Sequence, residues 1–395
     1  FPDLAIGPYR SALTLLIDSV RANAISLDTS TTYTHSAAQG YLLQAIGELL
    51  WAARGRAMEE RDELVTIALG EIAELEAAAD CVVGGGPAFG LDETWDAFGD
   101  GSTNPAFTAY TWQSGMVALG VAKIARVLVE LGHARASAIR DFGVALVDRW
   151  DAHYSSNSDG GYYWYSTASS DAIAVHNTSS LVAMASQILA EHGGPDRLAA
   201  RPPACADLLW ARMSGNPTTG YRWNYADDGY PAASRRAEDV SHGLVTLQFM
   251  AFARERTWWT ASQAQGVAHT LLDTMWTGNP ARLTGLVDGA SGGNDEWVWT
   301  RAAVIGYAAH GDADGGDPRV FDAARSILFS SYLSRFDRAL GGATVDATRS
   351  LALALLLAHR PPAFDGLGSR WDTAAGPGDD EAPSKPGGAR FLTVD

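Results

Sequence analysis

The feature that most restricts this chain is a unit written several times along it: an aromatic, glycine-bearing loop that runs straight into an apolar helix. The fullest copy spans Gly160 to Leu189. It reads Gly160-Gly-Tyr-Tyr163-Trp164-Tyr165, a Ser/Thr bridge with Asp171, then His176-Asn177-Thr178 opening a helix with Leu181, Met184, Ala185 and Ile188 at helical spacing. Gly220-Tyr-Arg222-Trp223-Asn-Tyr225 leads in the same way through Arg235, Arg236, Glu238 and Asp239 to His242 and the helix of Leu244, Leu247 and Ala251. Gly90 to Phe98 precedes Tyr110-Thr-Trp112-Gln113 and the helix of Val117, Leu119, Val121 and Ile124, and Gly293 to Trp299 opens a helix ending near His310. Identity between the copies is low, so the repeat is one of structure. Repeats of this length stack into closed or solenoidal architectures.

Helices are expected over Pro8–Ala24, from His35 through Trp51, and over Glu59–Asp80, Trp112–Leu131, Ser137–Tyr154, His176–Leu189 and Pro195–Met213. Further helices are expected from Val240 through Phe252 and over Thr260–Met275, Trp297–His310, Pro318–Leu333 and Thr348–His359. Helices apolar nearly all round alternate with amphipathic ones. The apolar starts fall near His35, Trp112, His176, Val240, Trp299 and Thr348. Six such pairs predict an all-α fold, an (α/α)6 toroid of inner and outer helices, with short rim hairpins at Tyr162–Tyr165 and Tyr221–Tyr225. Residues 1–360 then form one catalytic domain, and the Pro/Gly-rich stretch 361–395 a strap or a disordered tail.

The chain has 395 residues and 47% hydrophobic content, enough for a large core, yet no run approaches the roughly 18 consecutive apolar residues of a membrane span. The net charge of −17, with Lys123 and Lys385 the only lysines, argues against nucleic acid as a partner, because phosphates are repelled and no basic stripe receives them. Cys81 and Cys205 fall on separate outer helices, so no bridge is expected. The sequence begins at Phe1 rather than an initiator methionine, which is read as a removed signal peptide or an arbitrary start. A secreted or periplasmic location is the expectation.

Inner helices that run parallel bring their N-termini, and the loops before them, to one rim. That gathers His35, Trp112, Gln113, His176, Asn177, Glu238, Asp239, His242, Trp299, Arg301 and Arg349. Helix N-termini favour anions. Aromatic residues crowd the loops rather than the helices, including Trp95, Tyr163, Trp164, Tyr165, Trp223, Trp297 and Trp299. Flat apolar faces with polar edges suit sugar rings. The structural alternative is that these rings only plug the mouth of the ring of helices, that the acids cap helices, and that the histidines bond loop carbonyls.

The arrangement resembles the (α/α)6 toroids of carbohydrate-active enzymes: polysaccharide lyases of the alginate-lyase type, glucuronyl C5-epimerases and several glycoside hydrolase families. His176-Asn177 is similar, in reversed order, to the adjacent Asn-His pair of alginate-type lyases, and Arg222 with Tyr225 is similar to the Arg and Tyr that follow it. The resemblance implies β-elimination on a uronic-acid polysaccharide, or the related C5-epimerisation. Asn177 with Arg222 or Arg236 would neutralise the uronate, His176 or His242 would take the C5 proton, and Tyr225 would protonate the leaving oxygen. Trp112, Gln113, Tyr163, Trp164, Tyr165, Trp223, Arg236, Glu238, Trp297, Trp299 and Arg301 would bind the acidic poly- or oligosaccharide. No cofactor is needed. The second reading is a glycoside hydrolase using two rim carboxyls drawn from Asp92, Glu93, Asp96, Asp171, Glu238, Asp239, Asp295 and Glu296. A terpenoid-processing toroid or a sugar-binding protein without turnover follows behind. The scattered histidines supply no zinc motif, and calcium held by Asp159, Asp227 and Asp228 is a weaker option.

Overall fold

The computed structural model describes residues 33–52, 60–79, 86–91, 93–276 and 283–291, with a few isolated positions outside these stretches. The expected helices over Trp297–His310, Pro318–Leu333 and Thr348–His359, together with the tail, Cys81, Asp92, Asp295, Glu296, Trp297, Trp299, Arg301 and Arg349, lie outside the described residues. The chain divides into two compact units. The first comprises Asn23–Met213 and Asn224–Arg236, and the second Phe1–Ala22, Ser214–Trp223 and Ala237–Asp395.

Six helices build the first unit: α1 (Tyr33–Ala52), α2 (Arg61–Ala78), α3 (Thr111–Glu130), α4 (Ala136–Asp148), α5 (His176–Glu191) and α6 (Pro202–Arg212). α1, α3 and α5 pack side by side, with α2 against α1, α4 against α3 and α5, and α6 against α5. Gly40 lies against Met116 and Gly47 against Lys123, so α1 and α3 run in the same direction. Gly115 meets Leu181, and Gly143 of α4 touches both Val121 and Leu189, so α3 and α5 are parallel too. Small residues at these crossings let the backbones approach closely. A Cβ at position 120 would stand 2.8 Å from the Gly40 carbonyl oxygen and 2.8 Å from Leu43 Cβ.

The predicted alternation is visible in burial. α3 and α5 are covered on nearly every side, whereas α2, α4 and α6 bury one face. α3 is long and apolar enough to cross a membrane, but 89% of that window is buried inside the protein, so its apolar surface is already covered by neighbouring elements. Its two buried cations are paired: Lys123 Nζ and Arg126 Nη2 meet the Glu48 carboxylate at 2.8 and 3.0 Å.

Two expected helices end or begin differently. The segment after α4 turns through a 3-10 stretch, Asp151–His153, into a hairpin of β1 (Tyr154–Asn157) and β2 (Gly160–Tyr163), so Tyr154 belongs to a strand. Gly160 closes that hairpin at φ 143°, where a Cβ would lie 2.3 Å from the Ala204 carbonyl oxygen of α6. The Pro195–Met213 expectation splits into a 3-10 turn, Asp196–Ala200, and α6, because Pro202 can start a helix but cannot continue one.

In the second unit, β3 (Ser214–Asn216) pairs antiparallel with β4 (Gly220–Arg222), which packs on α8 (Ala261–His269). α7 (Val240–Glu255) is N-capped by Asp239, whose carboxylate accepts from the backbone of Ser241 and His242. α8 opens with a capping box between Thr260 and Gln263 and passes into a π-helical turn, Thr270–Met275.

Gly120→Ala is expected to lower unfolding stability by about 1–3 kcal/mol, because the added methyl group meets the backbone of α1. Gly70→Ala on α2, where the new methyl group meets open space, should raise it by about 0.5–1 kcal/mol. Urea midpoints of the two variants check the contrast.

Candidate active site

An inner helix that starts inside a protein has N–H groups with no intrahelical acceptor. Here one backbone clasp answers that need three times. The first N–H of α3, on Thr111, donates to the Tyr165 carbonyl at 2.9 Å; that of α5, on His176, donates to Tyr225 at 3.2 Å; that of α7, on Val240, donates to Gly285 at 3.1 Å. The residue before each helix makes an antiparallel bridge one position further on, Tyr110 with Ser166, Val175 with Ala226 and Asp239 with Leu286. Return bonds complete the pattern, from the N–H of Thr167 to Ala109, of Asp227 to Ala174 and of Val287 to Glu238, each 3.0 Å. The starts of α3 and α5 are therefore held by the aromatic loop of the following repeat, and that of α7 by the segment 284–287. This is the repeated unit of the sequence, seen as hydrogen bonds.

The clasp puts residues in register. His176 occupies the seat held by Thr111 and Val240 in the other copies, and Asp227 the seat held by Thr167 and Val287. Of these three described copies, only that at α5 carries an acid–base pair. His176 Nε2 stands 2.8 Å from Asp227 Oδ2, with both side chains nearly buried. The other carboxylate oxygen, Oδ1, accepts from Asn224 Nδ2 at 2.9 Å and lies 3.3 Å from Arg235 Nη1. His176 Nδ1 makes no hydrogen bond among the described residues.

Beside this pair lies an aromatic cluster. Tyr110, Tyr165, Ile173, Val175 and Ala226 are buried in it, and Trp95, Phe98, Tyr225 and Tyr230 pack around them half-buried. Ring centroids are 5.0 Å apart for Trp95–Tyr110 and Phe98–Tyr165, and 5.3 Å for Phe98–Tyr230. Asp96 shapes the loop that carries Trp95 and Phe98 by accepting from the backbone of Gly101 and Asp100, and these bonds hold its carboxyl below the usual range. Asp171 accepts from Asn104 Nδ2 at 2.6 Å, Ser166 Oγ at 2.7 Å and Ser170 Oγ at 3.3 Å, and Asn104 also reaches the Tyr110 hydroxyl. Burial raises the Tyr110 phenol, and drives the Tyr165 phenol, which is bonded to that of Tyr225, well above its ordinary value.

The expected site residues are therefore sorted. His176, Asn177, Tyr225 and Tyr165 come together in the first unit, whereas Arg222 and His242 belong to the second. Tyr163 offers no ring to a ligand: it is 2% exposed, packed edge-on to Tyr154 at 5.2 Å with the Arg201 guanidinium close by. Trp164 turns the other way from its neighbour Tyr165, joins Tyr162, Ala174 and Leu208, and donates to Ser155 Oγ. Alternation along an extended segment separates Trp164 from Tyr165. Trp112 is half-buried; Gln113 is fully buried with neither amide atom bonded, and Asn177 Oδ1 is likewise unpaired. Arg222 and Arg236 are exposed. Cys205 is a buried free thiol, pushed up to about 12 by burial.

The calcium option fails on a plain count of charges. Arg212 fills the space between the acids, bonding Asp228 with two nitrogens at 2.8–3.1 Å and Asp159 at 2.8 Å, while Asp227 is committed to His176. No cluster of metal-binding side chains occurs among the described residues.

In the second unit Trp223 is also buried, its indole N–H donated to Glu238, which Thr246 bonds from the other side. Burial pushes the Glu238 carboxyl up to about 8, against the lowering effect of those two bonds. Its neighbour Asp239 behaves oppositely: burial opposes its charge, but bonds from His242 and Ser241 outweigh it and hold the carboxyl at about 2. Glu238 with 0% exposure is thus a core anchor for Trp223, rather than the substrate contact that its position suggests.

Sequence reasoning missed Asn104, Asn224, Phe98, Tyr230 and the role of Asp227. The signal was present: aligning Tyr163-Trp-Tyr165 with Trp223-Asn-Tyr225 puts Asp227 opposite Thr167.

No family model and no curated protein matches this sequence. Solved structures do. A family 76 glycoside hydrolase from a bovine Bacteroides thetaiotaomicron strain superposes with a TM-score of 0.54 at 11% identity, covering 82% of this chain and 68% of that one. An α-1,6-mannanase, GH76A of Salegentibacter sp. HEL1_6, in complex with α-1,6-mannotriose gives 0.58 at 8% identity, covering 89% and 100%. A sugar epimerase from a ruminal bacterium gives 0.53 at 13%, covering 81% and 87%. The fold class is that of these enzymes, all-α and of the (α/α)6 toroid kind.

An ionised Glu238 costs stability in the folded state only. Its folded value of about 8 lies above the ordinary 4.5, so the native state holds a proton that the unfolded chain has released, and its contribution falls as pH rises from about 4.5 to about 8. Glu238→Gln should remove that slope, so the stability of the variant relative to the native protein should climb through this window. Urea unfolding at several pH values measures it.

Proposed function

We propose that this chain is a carbohydrate-active enzyme whose reaction is hydrolysis of a glycosidic bond in a poly- or oligosaccharide, with residues 1–360 as its catalytic domain. The observation that carries the reading is the one furnished seat among three equivalent ones. Thr111 with Thr167 and Val240 with Val287 serve the same clasp, so the architecture itself does not require His176 and Asp227. A buried imidazole–carboxylate pair placed against half-buried aromatic rings is then a chemical device.

In this reading the Asp227–His176 pair holds the proton that passes to the departing glycosidic oxygen. Asp171, which accepts three side-chain hydrogen bonds, is the second carboxyl and assists water. Trp95, Phe98 and Tyr230 offer ring faces to the apolar side of a pyranose. The family 76 hydrolases among the structural neighbours, one holding α-1,6-mannotriose, favour a neutral hexose polymer over an acidic one. A secreted or periplasmic location belongs to the same proposal. A second reading, epimerisation, is favoured by one observation: an imidazole with an unbonded ring nitrogen is suited to removing a proton from carbon, and a sugar epimerase is among the neighbours. None of these neighbours is described as a lyase.

Incubation with α-mannan, β-glucan, glucuronan and alginate separates the three. Reducing ends without near-ultraviolet absorbance are the expected result, from a neutral polymer. Asp227→Asn should lower kcat by about 10²–10⁴-fold with little change in KM. Unsaturated product would indicate elimination instead, and deuterium uptake at a ring carbon without cleavage would indicate epimerisation.

A further inference from the structure

We infer that Asn177 hydrogen-bonds a hydroxyl group of a neutral sugar ring lying against Trp112, and so determines which sugar is accepted beside His176. The inference rests on the proposed reading of this site and deepens it by assigning the contact that selects the substrate.

α5 opens with five polar residues in a row, His176 to Ser180, all of them buried. Four are committed. His176 meets Asp227 at 2.8 Å, Thr178 Oγ1 donates to the Val175 carbonyl at 3.2 Å, Ser179 Oγ accepts from the Tyr163 N–H at 3.1 Å, and Ser180 Oγ donates to the His176 carbonyl at 2.6 Å. Asn177, 3% exposed, makes no side-chain hydrogen bond among the described residues, and its Oδ1 is buried without a partner. A buried unpaired amide costs stability, and asparagine is a weak helix former, so the fold gains nothing from this side chain. The other copies fill the same seat differently: Trp112 in the α3 copy, and in the α7 copy Ser241, whose Oγ is bonded to Asp239.

Helix geometry places the amide. Leu181 of α5 meets Gly115 of α3, and one turn back from these two lie Asn177 and Trp112, because residues three or four apart share a helix face. Asn177 is also about 200° around the axis from Ser179, whose hydroxyl meets the β1–β2 hairpin and Cys205 of α6. The amide therefore projects away from the hairpin and α6, on the side of Trp112. Trp112 is half-buried, and its indole has neither a hydrogen bond nor a ring contact among the described residues. An amide beside a free indole face suits a sugar. The apolar C–H side of a pyranose lies on the indole, and a hydroxyl, donor and acceptor at once, matches an amide that is also both. A carboxylate, which only accepts, would use the N–H half of the amide alone. His176 adjoins Asn177 in the chain, so the hydroxyl that Asn177 reads belongs to the ring on which the His176–Asp227 pair acts.

The test measures binding by isothermal titration calorimetry in the cold, where turnover is slow, with urea midpoints alongside. The probes are α-1,6-mannotriose, a β-glucan trisaccharide and an alginate trisaccharide; the proteins are the native chain, Asn177→Leu and Asn177→Asp. Leucine has nearly the shape of asparagine but no polar atom. The native protein is expected to bind a neutral trisaccharide, and Asn177→Leu to bind it about 10–100-fold more weakly. The urea midpoint of Asn177→Leu should be no lower than native, since an unpaired polar group has left the interior. Asn177→Asp should keep the neutral trisaccharide, because a carboxylate accepts from a hydroxyl. Undiminished affinity in Asn177→Leu would overturn the inference, as would a fall in affinity together with the midpoint, the mark of a structural role. Binding of the alginate trisaccharide alone, or of none of the probes, would overturn it as well. If Asn177→Leu loses the trisaccharide while the native protein releases no reducing ends from any polymer, the sugar contact stands and the hydrolytic reading falls.

Discussion

Backbone N–H groups at the start of a buried helix must find acceptors, and in this protein that requirement sets the arrangement of the site. Thr111, His176 and Val240 donate to loop carbonyls contributed by the following repeat. The helices themselves have no solvent face to spare at these ends, and α3 and α5 have no capping side chain. A loop that must run past the helix start in extended conformation has alternate side chains pointing to opposite sides. Tyr165 joins the cluster of rings while its immediate neighbour Trp164 faces the other way, against Tyr162, Ala174 and Leu208, and Tyr225 joins the same cluster from the next loop. The aromatic motif is thus divided, residue by residue, between the cluster of rings and the rest of the core.

The close parallel packing of α1, α3 and α5 is the second constraint. Glycines at their crossings leave no space for a side chain, so neighbouring helix starts lie close together. The clasp then brings residues 51 positions apart, His176 and Asp227, to 2.8 Å. The clasp would close equally well over threonines or valines, as it does in the other copies. The physical case for chemistry at this seat is that difference, since burying an imidazole and a carboxylate is costly unless each is paired.

Much of the architecture was legible because helix periodicity and the repeated aromatic loop are local signals. The alternation of inner and outer helices and the presence of hairpins follow from them, and the start of α5 at His176 was read directly. What stayed hidden depends on pairing across repeats. Asp227 looked like a calcium ligand because Asp159, Asp227 and Asp228 form an acidic series, and nothing local shows that Arg212 stands among them. Glu238 and Asp239 looked like a pair of rim acids, yet one is a core anchor and the other a helix cap, distinctions set by partners such as Trp223 and His242. His176 and His242 looked like counterparts. The clasp shows an offset of two residues between them, since His242 corresponds to Thr178.

The account stands or falls on Asp227 holding His176 by its Nε2. The most direct measurement is the ¹⁵N NMR spectrum of the imidazole in uniformly labelled protein near neutral pH. A ring N–H on Nε2, with a slowly exchanging, strongly deshielded proton that is lost when Asp227 is replaced by asparagine, is the predicted result. A ring protonated on Nδ1, or one whose N–H exchanges freely with water whether or not Asp227 is present, would contradict it.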